Sequence, residues 1–303
     1  YASSPKQNNL FKEFNNYQFH KINLTDAKNV NEIINDNCFD CIINFAAESH
    51  VDNSIESSFE FCNTNVIGTL NLLESYRKLD KKHKLFIHVS TDEVFGSIKE
   101  GFFDENSNYK PNSPYSASKA SSDHFVRAYH DTFGLRTIIS NCSNNYGPYQ
   151  SIEKFIPLTI YNALNNKKIP IYGDGMQIRD WIYVKDHCEA LKMILLKGKP
   201  GEVYNIGSSN EEKNIHIAEK ICNFLDFSIP LKRNKSYSEF IKFVKDRPGH
   251  DFRYAVDSNK IKKSLGWEAK TSLSDGIELT IKWYLNTKEW VKESSGKSFI
   301  EWI

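Results

Sequence analysis

Short apolar runs alternate with amphipathic stretches over the first two thirds of the chain. Residues 41–47 (CIINFAA), 85–90 (LFIHVS) and 136–143 (RTIISNCS) carry too many consecutive apolar positions for a half-exposed strand, and they read as strands buried on both faces. Between them, residues 59–79 set Phe61, Val66, Leu70, Leu73 and Leu79 at helical spacing. Residues 115–133 repeat that pattern behind Pro111 and Pro114, which punctuate a helix start. Strand–helix–strand repetition predicts an α/β fold, a doubly wound parallel sheet with helices on both faces.

The texture changes after about residue 147. Short elements such as IPIYG, DWIYV and EVYNIG are separated by Gly, Asp and Asn turns, with helices expected near 155–165, 186–197 and 215–225. A Lys-rich loop (232–245) and a turn-like DRPGH (246–250) follow. The pattern divides the chain into residues 1–147, a parallel α/β domain that short later segments can rejoin, and residues 148–303, a smaller α/β lobe.

Composition narrows the function classes. A net charge of +1 over 303 residues provides neither a basic face for nucleic acid nor an acidic tail. No apolar run approaches the ~20 residues that cross a bilayer, and the first residues lack the pattern of a signal peptide. A soluble, cytoplasmic chain is expected. The six cysteines show no disulfide spacing. Cys38 and Cys41 form a CxxC, but it straddles a strand entry rather than a helix N-terminus, and no second pair or His cluster completes a metal site. No metal is expected.

The candidate chemistry lies in the middle of the chain. Tyr115 and Lys119 form a YxxxK, which on a helix stacks both side chains on one face, where a cationic Lys119 favours the tyrosinate. Spacing alone is weak, because Tyr17–Lys21 and Tyr284–Lys288 share it. Context separates the middle copy: the strand 85–90 ends in Ser90, Thr91, Asp92 and Glu93, and open α/β sheets place chemistry at strand carboxyl ends.

These residues also carry a resemblance. VSTDEVFG (89–96) and PYSASKASSD (114–123) are joined in order by AAESHVDNSI (46–55), NTNVIGT (63–69), CSNNYGPYQ (142–150), EKFIPL (153–158), PIYGDGMQIRDWIYVKDH (170–187), YNIG (204–207) and DRPGH (246–250). Over nearly its whole length the chain resembles the nucleotide-sugar 4,6-dehydratases of the extended short-chain dehydrogenase/reductases. The resemblance implies a Rossmann-like domain that binds NAD, a sugar-nucleotide lobe and a homodimer formed through the 59–79 and 115–133 helices. It implies catalysis by Thr91, Asp92, Glu93, Tyr115 and Lys119 on dTDP-glucose, with UDP-glucose as the alternative. Tyr115 takes the 4-hydroxyl proton as hydride leaves C4 for NAD⁺. Glu93 takes the C5 proton, Asp92 in its acid form protonates the departing 6-hydroxyl, and hydride returns to C6.

Position by position, the resemblance assigns Asn23, Leu24, Phe45, Ala46, Ala47, Ser49, Thr64, Tyr115, Lys119 and Asn145 to the cofactor. To the substrate it assigns Ser49, Thr91, Asp92, Asn144, Lys154, Phe155, Pro170, Ile171, Tyr172, Arg179, Asn214, Arg247 and His250, with Arg179 and Arg247 suited to a pyrophosphate.

The chain departs from the pattern in three places. The glycine-rich dinucleotide fingerprint and its βαβ half-unit, on the order of 30–40 residues, are absent from the 303 residues. Either the sequence is incomplete at its start or the chain is a cofactor-less, non-catalytic sugar-nucleotide binder. Retention of the catalytic residue types favours the former, and without upstream residues poor stability and no activity are expected. Asn23 replaces an Asp that touches adenine in relatives, and Asn53 leaves the nucleobase open.

Overall fold

A computed structural model describes residues 14–37, 39–79, 84–232 and 235–295. The strands are β1 (Cys41–Asn44), β2 (Leu85–Thr91), β3 (Thr137–Cys142), β4 (Asn144–Tyr146), β5 (Ile169–Tyr172), β6 (Ile178–Tyr183), β7 (Val203–Ile206), β8 (Glu211–Lys213) and β9 (Ile241–Val244). Helices α1 (Ala27–Asp36), α2 (Val51–Glu56), α3 (Ser58–Phe61), α4 (Gly68–Arg77), α5 (Pro114–Phe133) and α6 (Phe155–Leu164) come first. They are followed by α7 (Val184–Lys197), α8 (Asn214–Ser228), α9 (Asn259–Leu265), α10 (Leu273–Asn286) and α11 (Lys288–Ser295).

The three expected apolar strands, β1, β2 and β3, pair in parallel and are joined by β7 in the order β1-β2-β3-β7. The register sets Asn44 against His88 and Thr91 against Cys142. One face packs Phe86 and Ile139 against Val30 and Ile34 of α1, Leu72, Leu73 and Tyr76 of α4 and Val126 of α5. The other packs Ile87 and Ile138 against Leu191 and Ile194 of α7 and Ile261 of α9. With both faces covered, central strands must be apolar throughout, which explains their sequence. Each such large side chain taken fully out of water contributes roughly 1.5–3 kcal/mol. Among the described residues β1 forms the sheet edge, with Ile43 and Phe45 exposed.

A second core lies around β4, β5 and β6, where Tyr146, Ile160, Ile171, Trp181, Ile221 and Ile281 are buried together. β6 joins β4 in parallel and β8 antiparallel, while β5 pairs with β9.

Three expectations change. EVYNIG, read as second-lobe texture, contributes β7 to the first sheet beside β3. The expected loop 232–245 contains a 3₁₀ turn over Tyr237–Phe240 and then β9, because backbone pairing with Ile169–Tyr172 overrides its polar composition. The expected helix 59–79 is interrupted by a π-helical segment, Cys62–Ile67, between α3 and α4. Cys38 of the CxxC lies outside the described residues, and burial raises the Cys41 thiol to about 11, away from reactive thiolate behaviour.

Candidate active site

Two local signals fix the site's frame. Ser113 caps α5, its hydroxyl accepting the Ser116 N–H while the Ser116 hydroxyl accepts the Ser113 N–H, and Pro114 occupies the first turn. Gly134 closes the same helix in the left-handed conformation, φ 66°. At the end of β2 the chain folds directly into a 3₁₀ turn, Asp92–Phe95, capped by the Thr91 hydroxyl, which accepts the Glu93 N–H at 3.3 Å. Gly96 must follow: at φ 79°, a Cβ there would lie 2.3 Å from the Lys110 carbonyl oxygen.

These elements bring Thr91, Asp92, Glu93, Tyr115 and Lys119 together. Tyr115 lies beside Thr91, whose hydroxyl acts to lower it, and Thr91 Oγ1 lies 3.3 Å from Asp92 Oδ1. Asp92 is buried with its Oδ2 unpartnered, whereas Glu93 is only partly buried. Burial, then the neighbouring Glu93, pushes Asp92 well above the usual carboxyl range. Burial also raises Glu93, but Arg247, Arg179 and Lys154 oppose it, so the pair is electrostatically split. Tyr115 is pushed up by burial and then by Glu93. The Lys119 ammonium donates to the Val89 carbonyl at 2.8 Å and lies 3.4 Å from His88 Nε2. Its expected tyrosinate-favouring effect is therefore outweighed here by desolvation and carboxylate charge.

On the expected cofactor side, Phe45, Ala46 and Ser49 are exposed beyond the end of β1, and Ala47 is partly buried. Asn65, on the π-helical segment, accepts the Glu48 N–H at 2.8 Å and donates to the Glu48 carbonyl and to Ser118 Oγ. That clamp holds residues 46–49 beside α5. Thr64 precedes it on the same segment. Asn23 accepts the Thr25 N–H, and Leu24 packs against α4, its carbonyl taking a bond from Asn71. The Asn145 side chain is engaged internally, with Oδ1 2.9 Å from His187 Nδ1.

Among the expected substrate residues, Lys154 donates to the Ser49 carbonyl at 2.6 Å. Tyr172 donates to Asp52, and its ring centroid lies 6.0 Å from that of His250. His250 is held by Asp246, and burial with Arg247 lowers it to about 4, so it is a neutral hydrogen-bonding group. Arg247 keeps a buried Nε with no partner. Arg179 is placed differently from its neighbour. Its guanidinium is buried, donates to the carbonyls of Ile178, Asp251 and Phe252, and acts as a fixed positive charge behind Glu93 and Asp92. Ile171 is likewise committed to the core, while Pro170 and Phe155 are partly open. Asn144 pairs with Trp181 in β4 and β6, and Asn214 opens α8.

Sequence reasoning passed over Tyr254, whose hydroxyl lies 2.7 Å from Asp251 and 3.4 Å from Glu93. It also missed Asp180, which anchors the turn 208–210 and raises Asp92. A lone Tyr or Asp carries no spacing signal.

A parallel sheet layered by helices, with a Thr-Asp-Glu turn at a strand end facing a helix-borne Tyr and Lys, defines an extended short-chain dehydrogenase/reductase. The GDP-mannose 4,6 dehydratase family model matches residues 3–280, and the chain belongs to that family. It is 49% identical over 282 residues to the dTDP-glucose 4,6-dehydratase of Xanthomonas campestris, an alignment covering 90% of this chain and 80% of the relative. The crystal structure of dTDP-glucose 4,6-dehydratase from Bacillus anthracis, in complex with NAD, superposes with a TM-score of 0.83 at 43% identity, covering 94% of this chain and 85% of the other. The Streptomyces venezuelae enzyme, with NAD and dTDP bound, gives 0.85 at 40% identity, covering 93% and 84%.

Proposed function

We propose that the chain converts dTDP-glucose to dTDP-4-keto-6-deoxyglucose and water, as an NAD-dependent hydro-lyase. The observation that carries this is the pair of adjacent carboxyls at the end of β2, one buried and raised, the other opposed by three cations. A reaction that removes one proton and delivers another at neighbouring carbons needs such a split pair. An epimerase acting only at C4 does not.

Tyr115, beside Thr91 and one turn from Lys119, takes the proton of the sugar 4-hydroxyl. The resulting 4-ketone acidifies the C5 hydrogen. Glu93, favoured as carboxylate by Arg179, Arg247 and Lys154, removes it. Asp92, favoured as the acid by burial, protonates the 6-hydroxyl so that it leaves as water. NAD, when bound, supplies the acceptor and then the donor of the hydride that moves from C4 to C6. The residues present fit it: Phe45, Ala46 and Ser49 form an open shelf that Asn65 holds beside the Tyr115 helix.

In this reading residues 1–147 with β7 carry the cofactor and residues 148–303 mainly carry the sugar nucleotide. Lys154, Tyr172, His250 and Arg247 face the nucleotide sugar, and the unpartnered Arg247 Nε suits a pyrophosphate oxygen. Exposed Phe59 and Phe125 support a homodimer through the helices spanning 58–77 and 114–133. No helix among the described residues is long and apolar enough to cross a membrane, and the proposed enzyme is cytoplasmic. The test is incubation with dTDP-glucose and, separately, UDP-glucose without added NAD⁺, following the alkaline absorbance of the 4-keto product. Product from dTDP-glucose supports the proposal. Product from UDP-glucose alone reassigns the nucleobase, and product from neither, with no bound NAD, replaces the enzyme with a cofactor-less binder.

A further inference from the structure

Behind the Tyr115–Lys119 pair lies a file of buried polar side chains that the reaction does not use directly. Asn44 ends β1, His88 lies in β2, Asp123 lies one helical turn beyond Lys119 on α5, and Tyr109 precedes that helix. Asn44, His88 and Asp123 are each at most 3% exposed. Asn44 Nδ2 lies 3.2 Å from His88 Nδ1, His88 Nε2 lies 3.4 Å from Asp123 Oδ1, and Asp123 Oδ2 accepts from Ser90 at 2.8 Å and Tyr109 at 3.0 Å.

The direction of this file can be worked out. The Ala46 N–H can only donate, and it donates to Asn44 Oδ1 at 3.1 Å. That leaves Asn44 Nδ2 to donate to Thr69 Oγ1 and His88 Nδ1. His88 Nδ1 is then the acceptor, while Nε2 lies 3.4 Å from both Lys119 Nζ and Asp123 Oδ1, an oxygen that has no hydrogen-bond partner of its own. Burial, then the Lys119 charge, holds the ring neutral, so above about pH 7 Asp123 is the anion of the cluster and Lys119 its cation. Ser90, His88 and Asp123 do not form a nucleophile triad. The carboxylate, not the imidazole, stands between the other two, and both Ser90 and His88 are sealed from solvent.

We propose that Asp123, oriented by Ser90 and Tyr109, is the buried counter-charge that, with His88 Nε2 between them, positions Lys119 and keeps it cationic beside Tyr115. Asp123 and His88 are positioning residues in this scheme. They touch neither substrate nor cofactor and act only through Lys119. The file also joins the β1 end, which leads into residues 45–49, to the catalytic helix, so the cofactor shelf and the lysine share one hydrogen-bonded frame. The other titratable groups facing the cluster are Tyr115 and Cys142, with Arg127 and His124 beyond Tyr109. Among the described residues Asp123 is the largest support for the Lys119 proton, ahead of Cys142.

The inference rests on Tyr115 and Lys119 serving the reaction proposed above, so its test has one arm independent of turnover. In the enzyme with its cofactor, Asp123→Asn is expected to lower kcat about 10–100-fold near pH 8 with KM within about twofold. The alkaline limb of the kcat profile moves to lower pH, since Lys119 loses the charge that raises it. Tyr109→Phe, which keeps all charges and removes one bond to Asp123, moves the limb the same way by less, and it carries the test if Asp123→Asn fails to fold. In urea unfolding, Lys119→Met and Asp123→Asn are expected to combine less than additively. A profile of wild-type shape in both Asp123→Asn and Tyr109→Phe, or strictly additive unfolding midpoints, overturns the proposal. If the wild type dehydrates neither sugar nucleotide, the functional reading fails while the unfolding cycle still judges the Lys119–Asp123 coupling.

Discussion

The guanidinium carbon of Arg179 sits 4.2 Å from the ring centroid of Tyr254, and the Tyr254 hydroxyl reaches back toward Glu93. Arg179 is thus locked in place by a ring and three carbonyls, a permanent positive field beneath the two carboxyls. Removing it as Arg179→Gln takes away a charge that lowers both Glu93 and Asp92. Both are expected to rise. In the proposed reaction Glu93 is the ionised base, so the acid limb of kcat/KM should move to higher pH. Loss of the stacked, hydrogen-bonded cation is also expected to cost roughly 3 kcal/mol of stability. An unmoved acid limb would show that the field does not reach Glu93.

Glu93 and Asp92 can be separated by isotope. Glu93→Gln should slow exchange of the C5 hydrogen with D₂O and product formation together, by about 10²–10⁴-fold. Asp92→Asn should slow loss of water by a similar factor while C5 exchange continues through the 4-ketone. Equal loss of exchange in both variants would argue against divided duties.

Arg247 leaves a buried nitrogen unpaired and Lys154 lies beside it. Arg247→Ala is expected to raise KM for the sugar nucleotide about 10–100-fold, the worth of a charged hydrogen bond of about 1.5–3 kcal/mol, with kcat changed much less. A kcat loss at unchanged KM would move Arg247 from binding into the chemical step.

Asp123 gives a prediction on stability against pH. Burial lifts it from 3.8 to about 7 in the fold, so the native state holds a proton that the unfolded chain has already released between those values. Stability from this group is complete below pH ~4 and is lost as pH rises toward ~7, with a slope of at most about 1.4 kcal/mol per pH unit. Urea midpoints of wild type and Asp123→Asn should therefore diverge in the variant's favour over that window and run parallel above it. Parallel curves throughout would place Asp123 ionised at all these pH values.

Gly276 in α10 admits the Tyr146 hydroxyl so closely that a Cβ would stand 2.0 Å from it. Gly276→Ala is expected to destabilise by about 1–3 kcal/mol, read as a lower thermal midpoint.

The parts of this architecture legible in the sequence were those written in local pattern. Strands buried on both faces read as unbroken apolar runs at Ile42, Ile87 and Ile138, and Pro111 and Pro114 mark the approach to α5. What stayed hidden depends on partners distant in sequence. Val203–Ile206 looks like any short apolar strand, and only its pairing with Ile139–Cys142 assigns it to the first sheet. Ile241–Val244 needed Ile169–Tyr172 before it could become a strand. The candidate cluster was legible because Thr91, Asp92 and Glu93 are contiguous and Tyr115 and Lys119 keep helical spacing. Arg179 was legible as an important arginine but not by its position, since its three carbonyl acceptors come from residues 178, 251 and 252.

The π-helical segment over Cys62–Ile67 makes chain length itself a functional variable. Such a turn amounts to an α-helix holding one surplus residue. Here the surplus lets Asn65 face α5, with its carbonyl accepting from Ser122 at 2.7 Å, while Phe61 before it and Leu72, Leu73 and Tyr76 after it stay turned inward. Shortening the segment by a single residue would let the helix close regularly with both flanking faces in phase, so the fold would survive. The amide clasp on residues 46–49 would vanish. The same deletion one turn further along would instead swing a buried face through about 100°. At this place the count of residues matters to the site as much as their identity does.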